Sequence, residues 1–163
     1  MELKKLLETL SIEAGLLDDL LALLERETVE LGNIDLNAMA VSNQAKEELI
    51  NKIAEHAPSL QQAVSACAVR EGLAVSTALG TLAEHLAKRG SGELLSKQRQ
   101  VSKTADRIKQ AAALNQEIAE RFAAMATTSL GLITRLINQS NVYGASGGYQ
   151  QRPAAAVMIN REA

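Results

Sequence analysis

The sequence has no Trp, one Phe (Phe122), two Tyr (Tyr143 and Tyr149), one Cys and two Pro. With aromatic and β-branched residues too scarce to fill a pleated surface, a β-rich fold is excluded. The same lack leaves no platforms on which single-stranded bases could stack. One cysteine cannot close an internal disulfide, and Cys67 sits among Ala and Val as a small buried hydrophobe would. Charge of one sign is lacking too: 17 Lys and Arg against 19 Asp and Glu give a net −2, no footprint for a phosphate backbone. Long apolar runs are missing. The longest uncharged, mostly apolar stretch, 122–134, is 13 residues and includes Thr127, Thr128, Ser129 and Gly131, whereas a membrane span needs about 20. The opening Met1–Glu8 is broken by acids and lacks the apolar run of a signal peptide. The expectation is a soluble cytoplasmic protein with no nucleic-acid partner and no stable membrane insertion.

What the chain has is Leu (24) and Ala (27), alongside straight-chain Glu, Gln, Lys and Arg, all strong helix formers. Leucines recur every seven residues at Leu3, Leu10, Leu17, Leu24 and Leu31, with Leu6, Leu20 and Ile34 three positions on and Leu7, Ala14 and Leu21 four positions on. Such a wide apolar face belongs to a bundle helix rather than to a two-stranded seam. Lys5, Glu8, Glu25, Arg26 and Glu30 take the opposite face. Gly32-Asn33 reads as a stop or hinge, and Asp35 as a cap for the restart.

A second helix is predicted over Leu36–Ala57, because Pro58 cannot donate its backbone N–H and should end or kink it. Ser59 with Gln62 has the form of a capping box, predicting a fresh segment to Glu71 that stops at Gly72. A third piece, Ser76–Arg89, stops at Gly90-Ser91-Gly92. The longest pattern, Glu93–Gln139, carries a stripe of Leu94, Val101, Ile108, Asn115, Phe122, Ser129 and Leu136, on which Phe122 reads as a core aromatic. Beyond Asn141 the chain turns to Gly, Ser, Gln and Pro with no period. The predicted fold is all-α: an elongated antiparallel bundle of three to four long helices over residues 1–140, with left-handed twist, and a disordered C-terminal tail over 141–163. Residues 1–60 carry net −7 and residues 61–163 net +5, so antiparallel helices from the two halves should attract mildly.

No catalytic, metal or cofactor constellation emerges. His56 and His85 belong to no ligand-spaced cluster, and both read as dispensable to the fold. His85-Leu86-Ala87-Lys88-Arg89-Gly90-Ser91 loosely resembles the surroundings of the phosphorylated histidine in phosphotransfer domains, whose chemistry needs an exposed imidazole. Against it, Arg89 is an extra residue between Lys88 and Gly90, and the helix ends where that motif lies mid-helix.

Two features of the last helix are informative. Asn115 falls on the apolar stripe, either as a buried amide that fixes register or as a residue on the rim. Over 122–137 the only charge is Arg135, with Leu114, Ile118, Met125 and Leu132 on one flank and Ala123, Leu130 and Ile137 on the other. Either this helix lies centrally in its own bundle, or it offers a groove to another chain's amphipathic helix.

The whole chain resembles the FlgN family of flagellar type III export chaperones. The likeness rests on the Leu-rich acidic first helix (Leu3–Leu31) and its continuation over Asp35–Ala57. It rests further on the interrupted middle, the long helix with Asn115-Gln116, and Asn141-Val142-Tyr143-Gly144 after it. Pro58 and the Ala-rich last helix depart from the family's usual texture. The resemblance implies a cytoplasmic, non-enzymatic chaperone without cofactors. Such a chaperone binds the helical terminus of hook-associated (hook–filament junction) proteins, prevents their polymerisation and delivers them to the export apparatus. The family's binding region falls here on Leu114–Ile137, making Leu114, Asn115, Ile118, Met125, Leu132 and Leu136 the expected partner-binding residues. A homodimer of the free chaperone stays open, as does a purely structural adaptor bundle or a phosphotransfer domain using His85.

Overall fold

The computed structural model describes residues 2–140, with side chains described through residue 137. The expected tail, 141–163, lies outside the described residues. Four helices follow in order, α1 (Glu2–Asn33), α2 (Leu36–Arg70), α3 (Leu79–Lys88) and α4 (Glu93–Ser140), with no strand among the described residues. The contacts divide the chain into two compact units, Met1–Ala119 and Glu120–Ala163.

In the first unit α1 and α2 form an antiparallel hairpin. Ser42 Oγ donates to Glu30 Oε1 (2.9 Å), Lys46 pairs with Glu27, and His56 Nδ1 meets Glu13 Oε2 (2.8 Å), so α2 descends as α1 climbs. The first part of α4 runs back alongside α1 in the same direction: Thr104 Oγ1 donates to Asp18 (3.1 Å) and Arg107 to Glu25 (2.7 Å). The core lies at the end of the bundle where all four helices meet. Leu6 and Leu10 of α1, Ala63, Cys67 and Ala68 of α2, Leu82, Ala83 and Leu86 of α3 and Leu94 of α4 form one buried cluster without an aromatic ring. Alanines and the thiol let the backbones approach closely, which is how a core without large rings reaches native packing density. Burial pushes the Cys67 thiol up from its ordinary range, and the nearby Glu71 carboxylate adds to the effect. This cysteine therefore stays a packed thiol rather than a nucleophile.

The turns on either side of α3 have one chemistry. After α2, Gly72 adopts φ +75°, with Gly72 N–H on the Val69 carbonyl (3.0 Å) and Leu73 N–H on that of Ala68 (2.9 Å). After α3, Gly90 (φ +92°) repeats this, with its N–H on the Ala87 carbonyl (3.0 Å) and Ser91 N–H on that of Leu86 (3.0 Å). Both are Schellman caps at the two glycines the sequence marks as stops. The α1–α2 turn differs. Gly32 stays inside the helix, and Ile34 takes the left-handed conformation (φ +54°). A β-branched residue there is strained. Asp35 does cap α2, accepting from Ala38 N–H (3.0 Å).

The expected break at Pro58 does not occur: α2 runs unbroken from Leu36 to Arg70. Both halves are tied to α1, through His56–Glu13 on one side of the proline and through Ala63 and Cys67 against Leu6 and Leu10 on the other. Ala54 and Pro58 are exposed, so the one carbonyl that loses its intrahelical partner faces solvent. Pro58 then only weakens the helix. An interior proline costs roughly 3 kcal/mol relative to Ala, part of it offset by a stiffer unfolded chain. Pro58→Ala is expected to stabilise the protein by about 1–2 kcal/mol in a urea titration, and a lower midpoint would show that the proline relieves a bend the bundle needs.

Candidate functional site

The apolar stripe of α4 is inward-facing in the first unit. Leu94, Thr104 and Asn115 are buried, and Val101 and Ile108 are half-buried. Asn115, 5% exposed, is the buried register-fixing amide. Its Nδ2 donates to the Leu24 carbonyl (2.9 Å) and to Glu27 Oε2 (2.8 Å), while its Oδ1 accepts from Thr28 Oγ1 (2.6 Å). Glu27 also holds Lys46 of α2, so one amide joins a polar layer tying α1, α2 and α4 together. Beside it, Arg26 donates to Ser42 Oγ (3.1 Å), which donates on to Glu30. Asn115 is therefore not on the accessible surface where the sequence places a partner-binding residue, because its polar groups are satisfied internally. Of its neighbours in this unit, Leu114 is exposed and Ile118 half-buried.

Truncating a buried, fully bonded amide leaves its partners unsatisfied, at roughly 1–3 kcal/mol. Asn115→Ala is expected to destabilise by that amount in chemical denaturation. Asn115→Asp is expected to cost more, since it sets a second carboxylate against Glu27. Equal stability of the two variants would mean that Glu27 does not feel position 115.

In the second unit the stripe loses its cover. Phe122 is only half-buried, which corrects its assignment as a core aromatic, and every residue of 123–137 is exposed. Met125 (65% exposed), Leu132 (55%) and Leu136 (65%) share one face at 3.6-residue spacing, and Leu130, Ile133 and Ile137 lie exposed around the flank. The hydroxyls here do not make the surface polar. Thr127, Thr128 and Thr134 donate back to the carbonyls of Ala123 (2.9 Å), Ala124 (3.0 Å) and Leu130 (2.8 Å), leaving their methyl groups outward. The result is several turns of helix with an uncharged apolar surface interrupted by Arg135. Exposed apolar patches of this kind mark interaction sites.

Among the described residues no group of His, Cys, Asp and Glu could hold a metal ion, and no helix is long and apolar enough to cross a membrane. His56 is committed to Glu13, both side chains largely buried, so it is a structural residue and not the dispensable one the sequence suggests. His85 has its Nε2 buried without a hydrogen-bond partner. A phosphoryl-accepting imidazole must reach solvent, so this placement argues against the phosphotransfer reading.

Sequence reasoning passed over the acids of the polar layers. Glu13 and Glu27 occupy the seven-residue series Leu6, Glu13, Leu20, Glu27, Ile34, and carboxylates in apolar register were the available signal. Their partners His56 and Lys46 carry no comparable mark.

The first unit is a helical bundle held by buried polar contacts, and the chain continues into a helix whose surface over 123–137 is exposed and apolar apart from Arg135 and a few small polar residues. The family model described as FlgN protein matches residues 1–151, and the chain belongs to the FlgN family. No curated protein and no solved structure matches it. FlgN proteins are flagellar export chaperones and not enzymes, and export chaperone is the role that membership gives this chain.

Proposed function

We propose that this chaperone acts in the cytoplasm on hook-associated proteins. It takes their helical terminus onto the apolar strip marked by Met125, Leu132 and Leu136, keeps them from polymerising, and delivers them to the flagellar export apparatus. Family membership over residues 1–151 is the observation that carries the reading. The exposed strip supplies the physical means, since it offers an amphipathic helix the apolar surface it would otherwise bury in a filament. Met125 suits such a surface, because its unbranched, polarisable side chain adapts to more than one client.

Titration calorimetry of the full chain against the C-terminal helix of a hook-associated protein tests this reading. A saturable 1:1 isotherm with negative heat-capacity change is the expected result, because apolar burial sets that sign. Absence of binding, or light scattering in which the free protein is a dimer that the helix does not dissociate, would overturn it.

A further inference from the structure

Arg135 borders the strip near its C-terminal end and is its one charge between residues 122 and 137. It is exposed and makes no ion pair among the described residues. Its position is not incidental to the apolar face: Leu132 lies one turn before it and Leu136 directly after it, both exposed. A helix that covers those two leucines also covers the stem of Arg135 and removes water from its guanidinium. An ion stripped of water must be given a counter-charge, or the complex carries an unpaired buried charge. Guanidinium offers a planar fork of donors that suits a carboxylate better than any neutral group.

The two edges of the strip differ. At about 100° per residue, Arg121, Thr128 and Arg135 line one edge at seven-residue spacing, with the two arginines about 21 Å apart along the axis. The other edge carries Phe122, Ile133 and Ile137, all apolar. Around Arg135 the sequence offers no opposing charge. From residue 121 to residue 161 there are four Arg and no Asp or Glu.

From this we infer that the strip selects its partner by charge, taking an amphipathic helix whose apolar stripe is bordered by carboxylates on one side, with Arg135 as the specificity-determining residue. The inference rests on the proposed client-binding role of the strip and adds the partner's chemistry to it. Apolar contact holds the client. Arg135 decides which helix is accepted and which of its edges faces it. Like charge at a closing interface is a stronger discriminator than opposite charge is an attractor, so helices with a basic border are rejected.

The test uses the full chain and two synthetic helical peptides of about 20 residues with the same apolar stripe, one bordered by Glu and the other by Lys. Fluorescence anisotropy at about 50 and about 500 mM salt reads both affinities. The wild-type chain is expected to prefer the Glu-bordered peptide by about tenfold at low salt, with most of that preference gone at high salt. Arg135→Gln should bring the two peptides to near equality, and Arg135→Glu should reverse the order, while circular dichroism shows all variants equally helical. Equal affinity of the wild type for both peptides would overturn charge selection and leave the apolar strip standing. A preference that survives both substitutions would overturn the role of Arg135. If neither peptide binds, the strip itself fails as a helix-binding surface, and the inference fails with it.

Discussion

Replacing Met125 and Leu132 together by Asp should weaken binding of the client helix by at least about a hundredfold while leaving the melting temperature nearly unchanged. Each of these side chains loses water on docking, worth about 1.5–3 kcal/mol by transfer, and two of them make at least about 3 kcal/mol, which is roughly two decades in Kd. Stability should hold because both positions are more than half exposed in the free chain, so little folded-state contact is lost. Calorimetry against the helical terminus of a hook-associated protein, paired with thermal melts, checks both halves of the statement. Unfolded variants would mean that the strip is covered by the protein itself. Folded variants that bind normally would move the client elsewhere.

The opposite pattern is expected at Leu10. This side chain is completely buried in the cluster shared by all four helices. Leu10→Ala removes its contacts and leaves a cavity, at about 2–5 kcal/mol, against total stabilities of roughly 5–15 kcal/mol for domains of this kind. The melting midpoint should fall by about 4 °C or more, with client affinity per folded molecule unchanged. Phe122→Ala is the instructive comparison. A fully buried Phe would cost about 3–5 kcal/mol, and the partly exposed Phe122 should cost less than that. A Phe122 variant melting below the Leu10 variant would show that the ring packs as a core residue after all.

The two substitutions separate what the protein uses to fold from what it offers to others, and the boundary lies within one helix. Up to Asn115 the α4 stripe is consumed by α1 and the core. From Met125 onward it is free. The seven-residue stripe continues through both parts, so periodicity cannot tell the two uses apart.

Much of the architecture was legible in the residues. Helix is written in the Leu and Ala content, and the seven-residue leucine series marks the inner face of α1. Gly72 and Gly90 end α2 and α3 because glycine enters the left-handed conformation without steric cost. These features depend on local geometry, which the sequence alone specifies. The uncharged run after residue 121 is likewise visible without coordinates, as is the isolation of Arg135 within it.

Other features were decided by tertiary contact. Pro58 does not end α2 because residues on both sides of it are held against α1, and such long-range anchoring has no local trace. Glu13 and Glu27 are tolerated at inward positions only because His56, Lys46 and Asn115 arrive from distant parts of the chain to satisfy them. Asn115 itself was ambiguous from sequence, since an amide on an apolar stripe is stable inside only when partners are supplied, and Leu24, Glu27 and Thr28 lie about ninety residues away. Whether a stripe is core or surface is likewise no property of the helix that bears it. It depends on how far the neighbouring helices extend to cover it, and over residues 123–137 no described neighbour does.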